Sequence, residues 1–343
     1  MTPTNSDTMH AVRVHRLGSI DNGRIEEIPL PPVGPRDVLV EVQAISVKYV
    51  DLVTIQGRYQ FHPDLPYTPG KGPAGIVRTI GSDVTRVQVG DRVLGMAEAG
   101  GFAEAVAVPA DQVHVLPATL GFCEAATMAV SYDTAWMALR DRARLEPGQS
   151  VLVLGATGAV GRATVQLARA MGAGLVLAGL EEPQRLDSDP LGEIVDGRVD
   201  LGQPDLRDRI RDDVRALTHG RGVDIVIDVV GGDAFDGAIR SLAWRGRYVV
   251  VGFASGRIAT LQSNYVLLKN IEVTGLQISD YRKQMPELVT TAFREVFSSY
   301  EAGAVQVPAY ESHPLDYWST ALRSIEERKV DRAIVLEPNK EQS

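Results

Sequence analysis

Hydrophobic positions change their rhythm about a third of the way along the chain. Before residue 121, apolar residues alternate with polar ones or gather in short runs: AVRVHRL (11–17), DVLVEVQAISV (37–47), AGIVRTIG (74–81) and FAEAVAVPADQVHVLP (102–117). The segments PPVGPRD, PDLPYTPG and VGDRV between them carry turn chemistry, so this stretch predicts β-structure. CEAATMAVSYDTAWMALRDRA (123–143) reads as a helix that EPGQS then breaks. Next, VLVLG (151–155) is a continuous apolar run, the mark of a strand buried on both faces. Val160, Ala163, Leu167 and Met171 follow at helical spacing, and LVLAGL (175–180) follows them. A helix over 205–218, a strand over 223–231, a helix over 233–244 and a strand over 247–253 continue the alternation. That order predicts an α/β fold with a parallel, doubly wound sheet. Helices around 286–302 and 314–328 and a strand over 332–338 close the pattern, which contains no internal repeat.

The length of 343 residues exceeds the roughly 250–300 at which one core stops growing, so two domains are expected. A formal net charge of −9 gives no general electrostatic reason to bind nucleic acid or an anionic membrane. No apolar run approaches the ~20 residues of a membrane helix. The opening MTPTNSDTMH is polar, lacks a hydrophobic signal core and predicts a frayed tail. The single cysteine, Cys123, sits in an apolar helical stretch and reads as a small core residue rather than a nucleophile. The six histidines (10, 15, 62, 114, 219 and 313) and that cysteine show no metal-ligand spacing, so no metal is expected. No G-x-S-x-G elbow supports a hydrolase. A cytoplasmic location is the simplest expectation.

Two stretches carry candidate chemistry. In VLVLGATGAVG, Gly155, Gly158 and Gly161, with Thr157, Ala159 and Val160 among them, follow a buried strand and open an amphipathic helix. A dinucleotide-binding turn needs that context: a tight bend, backbone close to a pyrophosphate, and helix N–H groups aimed at its charge. The spacing is looser than G-x-G-x-x-G, so the flanking strand and helix carry the inference. No lysine with Ser or Thr follows the last glycine, which excludes a P-loop. The second stretch, YTPGKGPAGIV (67–77), sets Lys71 between two glycines in a turn that leads into a strand. Such a side chain either lies in solvent or points into something.

The phrases GPAGIV, VGDRV, GGFAEAVAVPADQVHVLP, EPGQSVLVLGATGAVG and QLARAMGA resemble the medium-chain dehydrogenases and reductases. The likeness is to the zinc-free, quinone oxidoreductase-like branch and covers nearly the whole length. It implies a GroES-like β-rich catalytic domain over 10–127 and 265–343 that encloses a Rossmann domain over 128–264, with the active site in the cleft. The zinc-ligand positions of the wider family fall at Lys48, Lys71 and Val130, and an accompanying glutamate position at Gly72; none is a zinc ligand. The resemblance thus implies a metal-free enzyme in which an ammonium group does the work of a metal on a developing oxyanion. Related reductases usually carry asparagine at the Lys48 position, and this departure points to a carboxylate-bearing substrate or to an enolate formed during reaction. The plainer alternative pairs one lysine with Asp51 or Asp64 and leaves the other in solvent. Tyr59 matches a pocket tyrosine that is a candidate proton donor. Thr134, Gly252 and Phe253 fall at the nicotinamide end, while Phe61, Trp136 and Phe253 are either pocket walls or core.

An NAD-selective site wants an acidic residue about 20 positions past the glycines. Here the chain reads LAGLEEPQR: Gly179 leaves room for a 2′-phosphate and Arg185 can meet it, but Glu181 and Glu182 repel it. A tyrosine that helps NADPH-binding relatives is replaced near Leu201–Gly202. Branch membership favours NADPH over NADH. The expectation is an NADPH-dependent reductase of small-molecule enones or quinones. Its rivals are a reductase of carboxylated or thioester-linked enoates and a nucleotide-binding scaffold or sensor without turnover. The resemblance also implies a homodimer.

Overall fold

The computed structural model describes residues 7–60 and 62–340, which form two contact units. The first unit takes the described residues up to Val130, Arg282–Thr291 and those from Val307; the second takes Ser131–Tyr281 and Ala292–Gln306. In the first, β1 (Thr8–Val14) and β2 (Gly23–Pro29) form an antiparallel pair. They are followed by β3 (Asp37–Val47), helix α1 (Tyr49–Ile55), β4 (Ala74–Ile80), β5 (Arg92–Gly95), β6 (Ala105–Pro109), β7 (Val113–Val115) and helix α2 (Phe122–Met128). The polar opening is therefore ordered from Thr8, where it finds partners in β2; residues 1–6 lie outside the described residues.

The second unit begins with helix α3 (Ser131–Trp136), which runs on as a wider π-helical turn over Met137–Arg142. The 123–143 segment is therefore two helices rather than one. Ala129 leaves the helical region and Val130 takes a positive φ of 68°, a conformation a β-branched residue rarely adopts. Beyond it come β8 (Ser150–Leu154), α4 (Ala159–Ala170), β9 (Leu175–Leu180), β10 (Gly197–Asp200), α5 (Leu206–Leu217) and β11 (Val223–Asp228). Next are α6 (Gly232–Ser241), β12 (Leu242–Val250), α7 (Ser263–Lys269), β13 (Glu272–Gly275), α8 (Ile278–Gln284) and α9 (Pro286–Glu301), the last two helices being divided between the units. The six strands make one parallel sheet in the order β10-β9-β8-β11-β12-β13, the doubly wound order of a Rossmann fold. β8 is buried along its whole length, as its apolar run requires.

β13 corrects one expected boundary. It pairs with β12 and completes the parallel sheet, so the chain stays with the second unit through Tyr281 instead of leaving it at 265. The first unit then gains β14 (Tyr310–Pro314), helix α10 (Trp318–Glu326) and β15 (Ala333–Glu337). β15 lies beside β3 in a seven-stranded sheet ordered β14-β15-β3-β4-β5-β7, with β6 also on β3. No helix of the described residues is long and apolar enough to cross a membrane.

The carboxyl edge of the second sheet is tied together by Asp228, the last residue of β11, which is fully buried. One carboxylate oxygen accepts the N–H groups of Val230 and Gly231, both at 2.8 Å, and the other accepts the Tyr248 hydroxyl at 2.7 Å. Its main-chain oxygen accepts from Val251 (2.8 Å) and Gly252 (3.2 Å), so one residue shapes the turns after both β11 and β12. Replacing Tyr248 with Phe leaves that carboxylate one donor short. The expected result is a loss of about 1–3 kcal/mol in unfolding free energy, read from urea denaturation.

Candidate active site

In the second unit the sheet order reverses direction between β8 and β11, and ligands of open α/β sheets bind beyond the strand ends at such a point. Gly155 makes the turn there with φ +76°, and a Cβ on it would meet Val229 at 2.8 Å and Val230 at 3.0 Å. The N–H groups of Gly155 and Ala156 donate to the Gly179 carbonyl at 2.8 and 3.1 Å. Gly161, in the first turn of α4, packs so closely on Gly155 that a Cβ would collide with its carbonyl oxygen. The first bond in line with the α4 ladder runs from Arg162 to Gly158 (2.8 Å), which leaves the N–H groups of Ala159, Val160 and Gly161 at the positive helix end. A turn bare of side chains at Gly155, Gly158 and Gly161, on a helix N-terminus, fits a diphosphate.

The remaining predicted coenzyme residues lie in the same unit. Gly179 is buried inside β9, where its carbonyl holds the Gly155 turn. Arg185 is exposed, with its Nε 4.0 Å from a Glu182 carboxylate oxygen. Thr134 is buried in α3 and its N–H donates to the Asp133 carboxylate at 2.9 Å. Phe253 is exposed just past β12, whereas Trp136 is buried and donates its indole N–H to Glu295 at 2.9 Å. Phe61 lies outside the described residues.

In the first unit the charged candidates gather around the 67–72 turn. Lys48 stands at the start of α1 and its N–H donates to the Asp51 carboxylate at 2.9 Å. The other oxygen of Asp51 accepts the N–H of Gly70 at 3.2 Å, which ties the turn to α1. Lys48 is half-buried and its Nζ donates to the Ala126 carbonyl at 3.3 Å. Lys71 is buried; its Nζ donates to Glu98 at 2.7 Å and lies 4.9 Å from the centroid of the Tyr59 ring. The far oxygen of Glu98 accepts from Arg282 at 2.9 Å. Gly72 packs on Ala129, with Val130 3.6 Å from where its Cβ would be. Lys48, Lys71, Gly72 and Val130 therefore do come together, with Tyr59 over Lys71. The plainer alternative fails: Lys71 pairs with Glu98 rather than Asp51 or Asp64, and neither lysine lies in solvent.

Burial pushes the Asp51 carboxyl up to about 6, against the opposing pull of the Lys48 N–H, the Lys71 and Lys48 charges and the Gly70 N–H. Tyr67 buries its hydroxyl without a hydrogen-bond partner, and burial and the Asp51 charge push its ionisation upward. Glu98, Arg282 and Tyr67 are the site residues that sequence reasoning missed. Glu98 is a lone charge in a loop of small and apolar residues, and nothing local couples it to an arginine 184 positions away. Lysine, glycine and valine side chains are not among the usual metal ligands. Among the described residues no group of three His, Cys, Asp or Glu side chains is placed to hold a metal ion. The Cys123 thiol, half-buried beside Glu337 and Glu124, is pushed up to about 12, chiefly by burial, which makes it a poor nucleophile.

Two family models match the chain: an alcohol dehydrogenase GroES-like domain over residues 34–118 and a zinc-binding dehydrogenase over residues 159–294. A quinone oxidoreductase-like protein 2 homolog from Nematostella vectensis is 32% identical over 97% of this chain and 90% of its own length. Quinone oxidoreductase-like protein 2 from Mus musculus is 39% identical over 76% of this chain and 73% of its own. The crystal structure of Escherichia coli quinone oxidoreductase complexed with NADPH is similar at a TM-score of 0.86 and 26% identity, covering 96% of this chain and 100% of that one.

The raised Asp51 carboxyl has a consequence for stability. It holds its proton more tightly in the folded than in the unfolded protein, so its contribution is largest below about pH 4 and shrinks as pH rises to about 6. Asp51→Asn is expected to remove a stability decline on the order of 3 kcal/mol across that window. Urea denaturation of both proteins at several pH values checks this; parallel curves would count against it.

Proposed function

We propose that this chain, which belongs to the quinone oxidoreductase-like branch of the medium-chain dehydrogenases and reductases, is an NADPH-dependent reductase of activated double bonds in enones or quinones. The observation that carries the reading is the ammonium group of Lys48, half-buried on the Ala126 carbonyl, at the position where zinc-holding relatives would polarise a carbonyl. Gly155, Thr157, Gly158, Ala159, Val160 and Gly161 hold the coenzyme diphosphate. Thr134, Gly252 and Phe253 take its nicotinamide end, and Gly179 and Arg185 the adenosine ribose. When bound, the reduced nicotinamide supplies a hydride. Lys48 stabilises the negative charge that then develops on the substrate oxygen. Tyr59 holds the proton that completes the reduction, and Lys71, pinned to Glu98, fixes the Tyr59 ring from below. The coenzyme assignment is supported by the NADPH of the Escherichia coli neighbour and by Arg185; Glu181 and Glu182 favour NADH.

Activity belongs to the cytoplasm in this reading, and the protein works as a homodimer. The dimer is supported by β13, an edge strand of the parallel sheet, and by α7, which exposes Leu267 and Leu268. Sedimentation equilibrium is expected to give twice the chain mass, and a Leu267→Asp, Leu268→Asp double variant one chain mass.

Oxidation of NADPH and NADH is to be followed over a panel of enones, enoates and quinones, with fluorescence titration of each coenzyme. Turnover of neutral enones or quinones with NADPH is the expected result; binding without turnover on any member would replace the reductase with a coenzyme-binding sensor. Lys48→Ala is expected to lower kcat by about 10²–10³, or roughly 3–4 kcal/mol, while the NADPH Kd stays close to that of the unaltered protein. An unchanged kcat would remove Lys48 from the mechanism.

A further inference from the structure

Lys71 and Arg282 reach the same carboxylate from opposite sides. The Lys71 ammonium donates to one oxygen of Glu98 at 2.7 Å and the Arg282 guanidinium to the other at 2.9 Å. Their side chains are only 6% and 1% exposed, whereas that of Glu98 is 21% exposed. The two cations are thus the more deeply buried members of the trio and Glu98 the more accessible one. An arginine and a lysine converging on two carboxylate oxygens form the contact set of a carboxylate-binding clamp. Here the occupant is the chain's own side chain.

We propose that Glu98 is a specificity-determining residue: it fills a Lys71–Arg282 carboxylate clamp from within and so turns the site toward uncharged substrates and away from carboxylated ones. The proposal rests on the reductase reading of the preceding subsection and narrows its substrate class. A substrate carboxylate can gain these two cations only by displacing Glu98, which would lose the same contacts. It would also meet a negative charge at the accessible face. Lys48, whose N–H donates to Asp51 and whose Nζ donates to the Ala126 carbonyl, is not a member of the clamp, and its role toward an oxyanion does not need it.

Two variants test this. In Glu98→Ala the clamp is emptied. Thermal denaturation is expected to show stabilisation of this variant by sodium acetate over sodium chloride at equal concentration, with no such difference in the unaltered protein. In Glu98→Gln the charge is removed at nearly constant size, which covers the case in which the alanine variant does not fold. For each folded variant, kcat/KM is compared between 3-penten-2-one and 4-oxo-2-pentenoate, which replaces its terminal methyl with a carboxylate. The ratio favouring the carboxylated compound is expected to rise at least about tenfold over that of the unaltered protein. One unit charge at about 4 Å and an effective dielectric of about 20 would give more, so tenfold is the floor. Intrinsic reactivity cancels in this comparison. A ratio within twofold of the original, or an alanine variant indifferent to acetate, would overturn the proposal. If neither compound is reduced by any form while acetate still stabilises the alanine variant, the clamp stands and the reductase reading falls instead.

Discussion

An ammonium group taken out of water has to find a carboxylate, and much of the first unit is arranged around that demand. The 67–72 turn carries Lys71 into the interior, where Glu98 meets it and is itself held by Arg282. Removing one member would strand the charge of the others, a loss of about 3–5 kcal/mol for a buried pair. The same turn is fastened on its other flank by Asp51, which accepts from Gly70 and from the start of α1. The surroundings of the 67–72 turn are therefore organised by ion pairs and backbone hydrogen bonds. Lys48, half-buried, sits beside this framework with its ammonium on a main-chain carbonyl.

The second unit depends on a different constraint, the absence of side chains where two backbones meet. Gly155 bends beneath Val229 and Val230, and Gly161 lets α4 start against Gly155. Asp228 fixes the facing turns by saturating its carboxylate with two N–H groups and the Tyr248 hydroxyl, which makes its full burial tolerable. The cradle is thereby rigid from both sides of the point where the sheet reverses. Rigid placement of this kind is what a bound diphosphate requires of a loop, because ordering it afresh on each binding event would cost conformational entropy.

Much of this was legible beforehand. Long apolar runs such as VLVLG and the helical spacing from Val160 to Met171 named the parallel sheet, and GATGAVG named its turn. The quoted motifs placed the chain in its family, and the relatives agree. Short or edge elements were harder: β10 and β13 have four residues each, too few to show a period, and only pairing with β9 and β12 makes them strands. The break at Val130 was hidden as well, because Ala129 and Val130 look like ordinary helix interior and a left-handed valine is imposed by its surroundings.

Local pattern was enough to specify the order of strands and helices and the glycine turn. It was enough because periodicity, turn chemistry and backbone freedom act over a few neighbouring residues. The partners of Lys48 and Lys71 were decided by folding alone. Glu98 and Arg282 are 184 residues apart, and Lys71 is 27 residues from Glu98. Electrostatic compensation follows distance in space and the loss of water, and both come into being only when the chain has packed.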